Sequence, residues 1–252
     1  MACFSGTNIV SDGLILCIDA ANYKYGSSPY KNLHGAGNST NQNFTIVDGI
    51  FRTDADPVTG AGTSELLTTG IEINTGSFSL TNWLKVTSEP NVGTNNNYRM
   101  IFAQNGISQS PFGFLMEQNR SIQYTLVTST RTYRYLNGYF TQGTLPLNEW
   151  AMSTFQYEKS TGIASVYYNG SLVRSGPMST DTAKTLTSVP NEPVINVTTS
   201  MYMNLSNNNP TTNPNGQGCF PGDMGPCLLY NKSLSDNEVK QNFESIRGRY
   251  GV

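Results

Sequence analysis

Arg131, Tyr133 and Tyr135 alternate along one short stretch of this chain, and on an extended strand alternate residues share a face. Two phenol rings and a guanidinium on one exposed face would stack on sugar rings, with nearby Asn and Arg bonding hydroxyls. The same rings turned inward are sandwich core or interface. The carboxylates point away from hydrolysis, because cleaving a glycosidic bond takes two carboxyl groups facing each other across a cleft. Glu65, Glu72, Glu89, Glu117, Glu149, Glu158 and Glu192 sit in scattered contexts, and none shares an alternating strand with another carboxylate. The single histidine, His34, lies in the Gly-rich Leu33–Asn38 turn with no Ser or Cys motif around it, so a nucleophilic triad lacks its base. The expectation is a chain that is not an enzyme.

Composition narrows the partners. Only 13% of the 252 residues are charged and the formal net charge is −2, with no basic run. Duplex nucleic acid, which needs clustered Lys and Arg to displace its counterions, is therefore not an expected partner. No apolar run reaches membrane-spanning length, and Met1-Ala2-Cys3-Phe4-Ser5-Gly6 lacks the basic start and apolar core of a secretory signal. Solubility falls to Asn, Ser, Thr and Gly, while fourteen Tyr and eleven Phe argue for a packed interior and against a disordered polar chain. The four cysteines form no C-x-x-C pair. Cys17 reads as a buried thiol within an apolar strand, and Cys219 and Cys227 are close enough in sequence to bridge.

The elements that would position these groups are mostly strands. Alternation is clear in Leu14, Leu16 and Ile18 and in Ala164, Val166 and Tyr168. X-Gly pairs between such runs mark two-residue hairpin turns, because both central positions take positive φ. These pairs are Asp48-Gly49, Asn105-Gly106, Asn137-Gly138 and Asn169-Gly170. The Asn/Thr/Pro/Gly stretches 89–97, 179–192 and 204–218 read as loops. Many short strands with regular turns indicate a sandwich or barrel. Trp83 and Trp150, each among apolar and strand-forming neighbours, read as core anchors.

The chain then changes period. Gly225–Asn231 reads as a strand, and Lys232–Glu238 as a helix start. Ser235 and Glu238 have capping-box spacing, and Leu234 and Val239 form a hydrophobic staple. Val239, Phe243 and Ile246 fall on one face, with Arg247 in the last turn and Gly248 as the stop. One domain is expected over 1–252: an arm at 1–8, a sandwich at 9–232, and a helix and tail at 233–252.

Together the two ends resemble a known family. The opening Ile9–Asn22, with Leu33-His34-Gly35-Ala36-Gly37-Asn38 after it, is similar to laminin-G-like, concanavalin A-like jelly-roll domains of tailed-phage structural proteins, cyanophages especially. Phe78–Lys85, the Tyr167-Tyr168-Asn169-Gly170 hairpin, Gly222–Ser235 and the Tyr250-Gly251 close extend the match. Residues 86–160 and 175–218 match nothing in it. The resemblance implies an all-β, two-sheet antiparallel jelly-roll sandwich with a short C-terminal α-helix. The Glu-x-Asp-x-x-Glu signature of the hydrolases on this fold is absent.

Similar domains often hold a calcium ion near the first and last strands, so the resemblance makes Asp19 and Asp223 the candidate ligands of Ca2+, with no other cofactor required. The alternative is that Asp19 bonds the Ala20–Asn22 turn and Asp223 opens an ordinary turn. The implied role is that of a virion structural protein, a capsid-decorating, cementing or tail-associated component assembled in the host cytoplasm. Its partners would be other virion proteins and its own copies as a homo-oligomer, with Met1–Asn8 as a possible site of association. The alternative is a lectin-like carbohydrate-binding module for attachment, using Arg131, Tyr133 and Tyr135.

Overall fold

The computed structural model describes residues 8–22, 30–31, 38–42, 44–53, 65–68, 76–88, 99–104, 112–116, 120, 122–128, 131–138, 145–177, 179–180, 201–203 and 218–252. In chain order the strands begin with β1 (Leu14–Ile18), β2 (Tyr30–Lys31), β3 (Asn38–Gln42), β4 (Thr45–Val47), β5 (Ile50–Arg52) and β6 (Glu65–Thr68). Next come β7 (Phe78–Val86), β8 (Arg99–Gln104), β9 (Phe112–Met116), β10 (Ile122–Thr128), β11 (Arg131–Gly138) and β12 (Trp150–Glu158). The last are β13 (Ile163–Tyr168), β14 (Ser171–Pro177), β15 (Ser179–Thr180), β16 (Met201–Met203), β17 (Gly218–Cys219) and β18 (Gly222–Tyr230), followed by helix α1 (Asp236–Tyr250). For β2, β3, β6, β11 and β15 to β17 the backbone alone is described.

Two sheets result. The first runs β14-β13-β12-β7-β18-β5-β4 with β1 also on β18, and the second runs β15-β11-β10-β9-β8-β16-β6-β3-β2 with β17 on β8. Pairing is antiparallel apart from the short β8–β17 contact. This is the expected all-β jelly-roll sandwich closed by one C-terminal helix.

The central strands of the first sheet are buried on both faces, and their residues show why. In β7, Phe78, Leu80, Leu84 and Val86 enter the core between the sheets, while Trp83, of the opposite parity, enters a second core beneath α1. In β12, Ala151, Phe155 and Tyr157 face the first core and Met152 the second; in β18, Cys227 and Leu229 face the first, and Leu228 and Tyr230 the second. The two sheets meet through stacked rings: Phe114 on Tyr124 at 4.7 Å and Tyr124 on Phe155 at 4.5 Å. Such pairs add about 0.5–1.5 kcal/mol each beyond their buried area. Tyr124 is fully buried and its hydroxyl bonds Ser153, and burial pushes its phenol pKa upward.

Helix α1 starts as the spacing predicts. The Ser235 hydroxyl accepts from the Glu238 amide at 3.3 Å, and the Glu238 carboxylate accepts from the Ser235 amide at 2.8 Å. Leu234 and Val239 are buried in the same cluster. The sheet adds anchors of its own, because the Leu234 amide donates to Ser79 and Gln156, and the Tyr167 hydroxyl donates to Asp236 at 2.7 Å. Lys232 bridges Asp12 at 2.6 Å and Glu238 at 2.7 Å. Midway along the helix, Asn242 accepts from the Val10 amide at 2.9 Å and donates to the Tyr230 hydroxyl, which donates to the Val10 carbonyl. The N-terminal segment is thus stitched to the C-terminal helix.

Several sequence expectations change here. Gly248 does not stop the helix, which continues to Tyr250 and ends on left-handed Gly251 at φ 71°. The extra turn carries Tyr250 to within 4.9 Å of the Trp83 ring and 4.1 Å of Trp150, contacts that outweigh a glycine penalty of about 1 kcal/mol. Asp48-Gly49 and Asn169-Gly170 are the expected turns, with φ of 52° and 73° and of 45° and 79°. Asn137-Gly138 is not a turn but stays in β11, paired with Gln123 and Ile122, because β10 offers partners along its whole length. Cys227 is a buried free thiol, so it does not bridge to Cys219, and Cys17 is a buried, unbridged thiol as expected. Trp83 is a core anchor at 0% exposure, and Trp150 is partly buried against the same cluster. Residues 1–7, 33–37, 89–97, 105–106, 181–192 and 204–217, with the arm, His34, one hairpin signal and most of the loops, lie outside the described residues.

Two glycines test the helix seat. A Cβ on Gly225 would lie 2.5 Å from the Tyr250 hydroxyl and 2.8 Å from the Trp83 Cβ, whereas one on Gly248 would meet nothing within 4 Å. Urea unfolding is expected to show G225A destabilised by about 1–3 kcal/mol and G248A stabilised by about 0.5–1 kcal/mol. Glu238 supplies a pH signature. Lys232 and the Ser235 amide hold its carboxyl below the usual 4.5, so the stability it contributes is present above that value and lost as the pH falls through the folded value. E238Q is expected to be weaker than the parent by about 0.5–1 kcal/mol at neutral pH, and the two melting curves are expected to converge in acid.

Candidate functional site

Asp19 stands at the end of β1, where the chain leaves the sheet into the short helical turn Ala20–Asn22. Its carboxylate is completely buried. The Ala21 amide donates to Oδ1 at 3.0 Å and the Asn22 side-chain amide to Oδ2 at 3.4 Å, as expected from the turn that follows it. Arg249, in the last turn of α1, places Nη1 at 2.8 Å from both oxygens. Its Nη2 donates to the Gly49 carbonyl in the β4–β5 turn, and its guanidinium lies 5.2 Å from the Tyr250 ring centre. Burial pushes the Asp19 carboxyl pKa upward, against the pull of Arg249 and of the Ala21 amide.

Asp223 lies near the start of β18, opposite Arg52 of β5. It is 4% exposed, and Arg52 Nε lies 2.9 Å from Oδ1. Each calcium candidate is therefore held by its own guanidinium. Calcium takes six to eight oxygen ligands, but the two oxygens of Asp19 are already taken up by nitrogen donors. Among the described residues no cluster of three or more His, Cys, Asp or Glu could hold a metal ion. The donor set around Asp19 does not fit a calcium ion.

The other candidate lies in the opposite sheet. Arg131, Tyr133 and Tyr135 belong to β11, next to the edge, where β15 covers only Arg134 and Tyr135. Their side chains lie outside the described residues. The backbone register gives the position of Tyr135. Leu136 pairs with Tyr124, a residue of the inter-sheet core, and Tyr135 pairs with Thr125, one step out of phase. Alternation then puts position 135 out of phase with the core register, while a bulge opposite Leu126–Thr128, within 131–134, breaks the alternation before it reaches positions 133 and 131.

Glu158 plays a structural part. It accepts from Ser77 and Ser160, and although burial raises its carboxyl pKa, the bonds from Ser160 and Ser77 outweigh that and hold it low. Arg249 is the residue that sequence reasoning missed. The Tyr250-Gly251 close was visible as a motif, but nothing local tied the arginine before it to a carboxylate 230 positions away.

Comparison with known proteins agrees with this architecture. Residues 59–240 match a laminin G model of the Concanavalin A-like lectin/glucanases superfamily. No curated protein matches the sequence. Among solved structures, Trypanosoma rangeli sialidase in complex with the inhibitor DANA aligns at 12% identity and a TM-score of 0.59, over 94% of this chain and 33% of that one. The binding domain of botulinum neurotoxin DC, in complex with rat synaptotagmin II, aligns at 14% identity and a TM-score of 0.59, over 94% and 52%. A further receptor binding domain aligns at 15% identity and a TM-score of 0.62, again over 94% and 52%. This chain spans between a third and about half of these proteins, and at such identities the likeness is one of fold. The chain belongs to the laminin G-like branch of the concanavalin A-like lectin/glucanases superfamily.

Proposed function

We propose that this chain is a non-enzymatic virion structural protein, a capsid-decorating, cementing or tail-associated component that works through protein–protein contacts. The phage assignment rests on the resemblance of the opening and closing motifs. The contact mode rests on one observation, the free edge of the first sheet. There β14 runs seven residues, no described strand pairs with its outer side, and Leu172 and Val173 are 49% and 43% exposed. The opposite edge, β4, has three residues, and the ends of the second sheet, β15 and β2, have two each. Short edges are a common protection against strand pairing. A seven-residue edge with two exposed aliphatic side chains is suited to antiparallel pairing with a second copy about a two-fold axis. The absence of a catalytic role is part of this reading, supported by the structural commitments of Asp19, Asp223 and Glu158.

A second reading, a carbohydrate-binding module, draws on the register position of Tyr135, out of phase with the core, and on binding domains among the fold's solved relatives. One purified sample separates the two. Light scattering is expected to give a defined oligomer that V173K, placed at an exposed position, reduces to monomer, while a glycan array stays silent. A monomer that binds particular sugars, and loses them in Y135A, would replace the first reading by the second.

A further inference from the structure

We propose that Arg249 is the resident cation of this domain: its guanidinium neutralises the buried Asp19 where no metal fits, and so locks the C-terminal helix to the sheet. Three segments remote in sequence meet at this point. They are the end of β1 with its Ala20–Asn22 turn, the β4–β5 turn, and the last turn of α1. They are pressed together: a Cβ on Gly49 would come within 2.9 Å of Ala21 and 3.0 Å of Arg249 Nη2.

The oxygens gathered here, a carboxylate and a backbone carbonyl, are the hard donors that a calcium ion prefers. A guanidinium satisfies them by a different route. It is planar, always charged, and carries donors on two sides, so one nitrogen serves Asp19 and another serves Gly49. Its place at a helix C-terminus is favourable in itself, because the helix dipole leaves that end negative. The arginine makes docking of α1, and with it the Tyr250 ring over Trp83 and Trp150, a condition for neutralising a fully buried carboxylate. The lock is internal to the chain and independent of free metal.

Removal of the guanidinium leaves Asp19 charged, buried and without a cation, the costliest state of such a pair. R249A is expected to lower Tm by about 6–20 °C and to change the tryptophan fluorescence as Tyr250 loses its seat. Millimolar methylguanidinium is expected to restore part of that loss in R249A, with sodium chloride of equal ionic strength as the control. The double variant D19N/R249A, which no longer carries the orphan charge, is expected to be more stable than R249A and to ignore methylguanidinium. The parent protein is expected to melt at the same temperature in calcium chloride and in EDTA. A parent Tm that rises with calcium or falls with EDTA would overturn the proposal. So would an R249A variant as stable as the parent, or a double variant that loses as much as the two single variants combined. Should R249A fail to fold, the comparison of D19N/R249A with D19N and the parent's response to calcium still decide the question.

Discussion

The central pair of the first sheet, β7 and β18, is buried on both faces, and the rest of the molecule answers to that condition. A strand covered on one side alternates apolar and polar residues; one covered on both does not. All nine residues of β18 and eight of the nine in β7 are buried. One face is covered by the second sheet. The other requires an additional layer, and α1 with the N-terminal segment supplies it. The helix is thus a wall of the second core, with Trp83 stacked on Phe243 at 5.7 Å and packed on Tyr250.

A sheet buried on both faces also encloses polar side chains, and each must find a partner or lose about 1–3 kcal/mol. Thr81 and Thr154 bond each other at 2.8 Å between β7 and β12. Ser79, Gln156 and Tyr167 form a chain that ends on Asp236 and the Leu234 amide, so the polar atoms of the sheet serve as the docking points of the helix N-terminus. Asp19 and Arg249 serve the same purpose at the other end. Both ends of α1 are held by directional contacts, and its middle by ring packing and by the Asn242 hydrogen bonds to Val10 and Tyr230.

Such construction suits a domain that is a rigid body presenting a surface. Asp19, Asp223, Glu158 and Asp236 are spent on holding segments together, and the face of the first sheet that α1 covers is closed to ligands. In the two readings proposed above, recognition accordingly lies at the free β14 edge of the first sheet and at β11 of the second. The fold's solved relatives include both an enzyme and receptor-binding domains, so ancestry alone does not choose between them.

The sequence by itself determined what short-range physics decides. Ser235 and Glu238 satisfy each other's backbone within one turn, so the helix start was legible to the residue; Asp48-Gly49 and Asn169-Gly170 were legible because few residue pairs tolerate positive φ at both turn positions. The sandwich class followed from alternation and turn spacing, and membership of the superfamily from motifs at both ends. Tertiary structure decided wherever distant segments compete with local preference. Gly248 stays helical because rings beyond it find Trp83 and Trp150, and Gly138 stays in a strand because β10 runs alongside it. The calcium expectation at Asp19 met an arginine that only packing brings near. A carboxylate announces its charge in the sequence, but which cation neutralises it depends on what the fold sets within 3 Å, and chain order carries no record of that distance.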